Sequence, residues 1–100
     1  MQDLLASALA PRSVAVIGAS ENIHKIGGRP IHYMQRHGFQ GAIYPINPAR
    51  EEIQGHRSYA SLAALPEAPD LAVIALGGDR TVAAVEECAA RGVKGAVVIA

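Results

Sequence analysis

The sequence has no tryptophan, one cysteine, and only 4% aromatic residues among its 100. A lone cysteine excludes an internal disulfide framework and any zinc site built from several thiolates. Net charge is missing too: nine basic residues balance nine acidic ones with His neutral. Proteins that bind nucleic acid or anionic membranes in general carry a clear positive excess, so neither partner is expected. No apolar run approaches the roughly 20 residues that span a bilayer. The first six residues, MQDLLA, hold an early acid and no basic stretch, unlike a secretory signal. A cytoplasmic location is the expectation. What is abundant is apolar: half of the residues, against 18% charged. That balance argues against disorder. The length allows one small domain, burying roughly 60–65% of the surface its unfolded chain exposes.

Charge is unevenly spread. Residues 12–57 carry a net +3 and residues 58–100 a net −2. A basic first half suits a small polyanionic ligand better than a long polyanion.

Four short runs read as strands, at residues 13–17, 42–46, 71–76 and 95–99. Three are nearly continuous in apolar residues, the pattern of a parallel sheet covered on both faces. Pro45 places the second at a strand end or a sheet edge. A helix is expected over residues 28–37, with Pro30 in its first turn and Gly38 at the left-handed position after it. Ile31, Met34 and Gln35 are expected to face the sheet. A second helix is expected over residues 79–91, capped by Asp79, ended by Arg91 and Gly92, with Val82, Val85 and Ala89 as its buried stripe. Residues 61–65 suggest a helical turn or two, stopped by Pro66, and residues 4–9 a short leading helix. Strand and helix alternate, which argues for a Rossmann-like, doubly wound α/β fold with a parallel sheet. Such a domain normally adds a further helix and strand, so the chain reads as the N-terminal part of a larger protein.

In open α/β sheets, ligands bind beyond the carboxyl ends of the strands. After the first run comes Gly18-Ala19-Ser20-Glu21-Asn22-Ile23-His24-Lys25-Ile26-Gly27-Gly28. Glycines there let a phosphate approach backbone N–H groups at a helix N-terminus. The dinucleotide fingerprint G-x-G-x-x-G is broken, because Ser20 stands at its second glycine. The second run ends Asn47-Pro48-Ala49-Arg50, with a cation near the place where NAD binding wants an acid. That rejects ordinary NAD binding and favours a ligand with an extra phosphate, either NADP or the 3′-phosphorylated ADP of coenzyme A. The remaining candidates are weak. His24, His32, His37 and His56 show no metal-ligand spacing. Cys88 lies beside Glu87, which disfavours its thiolate. Ser20 has no base in a recognisable triad.

The run Pro11-Arg12-Ser13-Val14-Ala15-Val16-Ile17-Gly18-Ala19-Ser20 resembles the opening of the CoA-binding domain of NDP-forming acyl-CoA synthetases, a superfamily that includes the succinyl-CoA synthetase alpha subunit. Ile26-Gly27-Gly28, Tyr44-Pro45-Ile46-Asn47-Pro48, the run from Pro69 to Ala75 and the run from Gly92 to Ile99 resemble it in the same order. The resemblance implies that Ser20, Glu21, Asn22, Lys25, Ile26 and Gly27, following Gly18 and Ala19, hold the CoA diphosphate. It implies that Arg50, after Asn47 and Pro48, replaces a more usual lysine that contacts a CoA phosphate. It implies that Ala75, Leu76 and Gly77 line the adenine or pantetheine path, although Leu76-Gly77-Gly78 departs from a more usual proline-containing turn. Val98, Ile99 and Ala100 would approach a further contact. The family's phosphorylated histidine belongs to a later domain, and nothing in this chain resembles it, so no catalytic residue is assigned. The implied function is to bind CoA or acyl-CoA as the N-terminal module of a synthetase, an acid–thiol ligase, beside its remaining domains or a partner subunit. A non-catalytic CoA sensor, alone or fused to an acetyltransferase, and an NADP-binding redox domain are the alternatives.

Overall fold

Four apolar runs pair side by side into one parallel sheet. They are β1 (Ser13–Ile17), β2 (Ala42–Ile46), β5 (Leu71–Ile74) and β6 (Gly95–Val98), in the order β2-β1-β5-β6. The computed structural model describes residues 10–99, so the leading helix expected at residues 4–9 and the contact expected at Ala100 lie outside the described residues. All five residues of β1 are buried, because its neighbours cover both edges and helices cover both faces.

The pleat sends alternate residues to opposite faces. Val14 and Val16 join Ile31, Ile43 and Ile53 on one face, and Ala15 and Ile17 join Ile46, Leu62, Ile74 and Cys88 on the other. Helix α1 (Arg29–Arg36) covers the first face through Ile31, which is fully buried. Pro30 sits in its first turn, and Gly38 beyond it takes φ +73°, as expected. The second face is covered by helix α2 (Asp79–Arg91) and a single 3-10 turn at Leu62–Ala64. Arg91 ties these two together, donating from Nε to the Leu62 carbonyl and from Nη2 to the Leu65 carbonyl. Pro45 lies in the edge strand β2 and accepts at its carbonyl from the Tyr59 amide. The N–H that proline lacks would point to that same outer side, so no bond of the sheet is lost.

Several expectations are corrected. The buried stripe of α2 is Ala84 and Cys88, not Val82, Val85 and Ala89; Val82 and Val85 are 59% and 44% exposed. Small side chains let the helix lie close to the sheet, and the valines point away. Gly78 is the N-cap of α2, while Asp79 is its first residue and makes no capping bond. Gln35 faces out from α1 and meets other partners described below. β5 and β6 are shorter than expected, and Ala96, Val97 and Val98 of β6 are exposed. One element was not expected: a hairpin of two short strands, β3 (Glu52–Ile53) and β4 (His56–Arg57), turning at Gln54 and Gly55. No helix among the described residues is long and apolar enough to cross a membrane.

Candidate functional site

The strand order fixes where a ligand can enter. From β1, the chain goes first to β2 on one side and later to β5 on the other. The crevice between these departures opens beyond Ile17 and Ile74, at the carboxyl ends of the strands. A cavity of about 480 Å³ lies there, lined by Gly18 and Ala19 after β1, Asn47 and Pro48 after β2, and Ala75 and Leu76 after β5. Six residues predicted from sequence are thus brought together. Arg80 and Glu87 of α2 add two charges to the same cavity, and sequence reasoning missed both.

A second cavity of about 470 Å³ shares Asn47, Pro48 and Ala60 with the first, so the two form one groove. Arg50 and Arg57 both line it. Arg57 comes from β4, and its guanidinium carbon sits 5.2 Å from the centre of the Tyr59 ring. That cation–π contact limits the freedom of the guanidinium before any anion arrives. Each guanidinium offers a forked donor set suited to a phosphate, and the Glu51 carboxylate lines the same groove. Another cavity, of about 630 Å³, lies at the opposite end of the sheet, against Pro11, Arg12, Phe39 and Gly41. It is open and apolar and holds none of the predicted residues.

The loop at residues 18–28 is tied internally by several of its own amides. Gly18 and Ala19 donate to the Ile46 carbonyl, Ser20 to Gly27, and Gly28 and Arg29 to Lys25. With Pro30 lacking an N–H, the first turn of α1 presents few free donors. The glycines answer to packing. A Cβ on Gly18 would stand 2.6 Å from the Ala75 carbonyl oxygen, and one on Gly27 or Gly28 would overlap the carbonyl oxygen of Gly18 or Asn22. Side chains of the loop are also available to a ligand. The Ser20 hydroxyl accepts from the Asn22 amide at 3.0 Å and keeps its own proton to donate. The Asn22 carboxamide oxygen accepts from the His24 amide at 2.9 Å, leaving its NH2 group. Lys25 is exposed.

Other predicted residues are placed as follows. Glu21 accepts at its carboxylate from the Gln54 amide, 2.8 Å away, and so ties the loop to the hairpin. Asn47 donates to the Ala19 carbonyl and accepts from the Ala49 amide, holding the ends of β1 and β2 together. Ile26 lines a separate surface hollow with Arg29, Tyr33 and Ile99. Gly77 is exposed, with open space around it. Burial pushes the Cys88 thiol up, and the Glu87 carboxylate adds to the effect, so the sulfur is a poor nucleophile. No cluster of three or more His, Cys, Asp or Glu is placed to hold a metal among the described residues.

Comparison with known proteins places the chain in a family. Residues 12–100 match the model of a CoA binding domain. An ADP-forming acetate–CoA ligase II from Archaeoglobus fulgidus is 39% identical over 89 residues, which are 89% of this chain and 13% of that protein. The alpha subunit of an ADP-forming acetate–CoA ligase II from Pyrococcus furiosus is 37% identical over 89 residues, or 19% of its length. A dinucleotide-forming acetyl-coenzyme A synthetase 1 from Ca. Korarchaeum cryptofilum, solved with phosphate and ADP, superposes with a TM-score of 0.90 at 36% identity. That match covers 96% of this chain and 21% of the synthetase. The chain therefore spans about a fifth or less of the relatives named here, and it belongs to the CoA binding domain family.

Proposed function

We propose that this chain is the CoA-binding module of an ADP-forming acyl-CoA synthetase, working with the synthetase's remaining domains or a partner subunit. The observation that carries the reading is the groove at the carboxyl ends of β1, β2 and β5, with Arg50 and Arg57 at one end. CoA differs from most nucleotides by a 3′-phosphate on its ribose, and two guanidinium groups fit that dianion. The Ser20 hydroxyl, the Asn22 amide group and Lys25 serve the diphosphate. Ala75 and Leu76 give the pantetheine arm an apolar wall. The chain's task is to hold the nucleotide end so that the thiol reaches an acyl donor handled elsewhere in the synthetase.

Calorimetric titration with CoA and NADPH tests this. Saturable binding of CoA, with NADPH weaker or absent, is the expected result. Preference for NADPH would move the reading to a redox domain.

A further inference from the structure

The residue that does most to shape the ligand loop is not in the loop. Gln54 stands at the turn of the β3–β4 hairpin with φ +50°, the one non-glycine residue with positive φ among the described residues. Gly55 follows at φ +86°, so both central positions of this two-residue turn are left-handed. Asn and Gly are the usual choices there because they adopt that backbone most easily. A glutamine costs conformational energy for a longer side chain, and both of its side-chain N–H donors are used. Its Nε2 donates to the Ser20 carbonyl and to the Gly28 carbonyl, each at 3.0 Å. Its backbone amide donates to Glu21, and its carbonyl accepts from Gln35 Nε2 of α1 at 2.7 Å. Gln35 Nε2 also lies 2.7 Å from His56 Nε2 across the hairpin.

These bonds share one geometry. Ser20 and Gly28 stand at the two ends of the loop, and a single carboxamide grips both. The bond from the Ser20 amide to the Gly27 carbonyl closes the same neck. Carbonyl oxygens aimed at a diphosphate would repel it. Gln54 holds the Ser20 carbonyl toward the hairpin and adds a second donor to the Gly28 carbonyl, which already accepts from the His32 amide. Holding the Ser20 peptide also fixes where its hydroxyl points.

We propose that Gln54 is a positioning residue that clamps the loop at residues 18–28 in the shape that presents Ser20 and Asn22 to the diphosphate of a nucleotide ligand. The inference rests on the CoA reading for the identity of that ligand, while the clamp itself rests on the four hydrogen bonds. It predicts that the hairpin tip, which lines neither half of the groove, sets affinity for the ligand.

The test uses two near-isosteric variants of the full chain. Gln54→Glu puts an acceptor against two carbonyls, and Gln54→Met removes both donors without adding charge. Amide hydrogen exchange is measured without ligand, and CoA affinity is measured by calorimetry from pH 5 to pH 8. Both variants should speed exchange at Ser20 and Gly28 and weaken CoA binding about tenfold or more at pH 8. The Gln54→Glu variant should recover affinity relative to wild type as the pH falls, because a protonated carboxyl again donates one bond; Gln54→Met should not. Unchanged loop exchange in both variants overturns the clamp. Faster exchange with unchanged CoA affinity overturns the positioning role and leaves a purely structural tie. A wild-type chain that binds no CoA refutes the proposed function, and accelerated loop exchange would then still sustain the clamp.

Discussion

Gly27→Ala is the sharpest perturbation of the ligand loop. A Cβ at Gly27 would overlap the Gly18 carbonyl oxygen, with the Gly18 carbonyl carbon at 3.0 Å and the Ala19 Cα at 3.4 Å. All three are backbone atoms, so no flexible side chain can give way. The loop must open, and the bond from the Ser20 amide to the Gly27 carbonyl opens with it. Overpacking a tight site costs about 1–3 kcal/mol, and one lost hydrogen bond adds about 1 kcal/mol. For a domain of this size each kcal/mol moves the midpoint by about 4–8 °C, so Tm should fall by roughly 8–30 °C. Gly77→Ala is the control, because that glycine meets nothing within 4 Å and its φ is not positive. Its Tm should stay within a few degrees of wild type or rise slightly. Thermal melts followed by circular dichroism decide the matter. Equal melting of wild type and Gly27→Ala would refute the claim that packing, rather than a ligand, requires these glycines.

Three further outcomes follow from other regions. The Tyr44 hydroxyl donates to Glu67 at 2.5 Å, and that bond, with burial, pushes its pKa up from 10.0 to about 12. A raised pKa stabilises the fold fully below pH 10 and is lost as pH rises toward 12, so stability should fall across that window, less steeply in Tyr44→Phe; parallel profiles in urea melts would contradict this. Val82→Ser and Val85→Ser should each change stability by no more than about 0.5 kcal/mol, since both valines face solvent. A loss of several kcal/mol in chemical denaturation would mean that the stripe is covered. Cys88 should resist thiol reagents at neutral pH until the chain is unfolded; rapid labelling of the native protein would contradict its burial.

Much of the fold is legible in the sequence because burial leaves few choices. β1 and β2 form over the expected residues, since a five-residue apolar run in a parallel sheet has nowhere else to go. Amphipathic periodicity misled at α2, where it selects the largest apolar residues. The close approach of helix to sheet is made instead by Ala84 and Cys88. The β3–β4 hairpin left little signal, with two residues in each strand and Gln-Gly in place of Asn-Gly at the turn. Missing the hairpin meant missing Arg57, and also Gln54, whose contacts are with segments distant in sequence. The glycines of the first loop were visible, but a glycine needed for a ligand and one needed for a neighbouring carbonyl look alike until the neighbour is placed. Arg50 was readable from its position after Asn47 and Pro48, and its groove is where the fold puts it.

That arginine carries the central claim. CoA and dephospho-CoA differ only in the 3′-phosphate, so their affinities for wild type and Arg50→Ala isolate its contact. A charged hydrogen bond of this kind is worth about 1–3 kcal/mol, so Arg50→Ala should lose roughly tenfold to a hundredfold in CoA affinity and little for dephospho-CoA. Equal losses for both ligands, or a wild-type chain that does not distinguish them, would contradict the account.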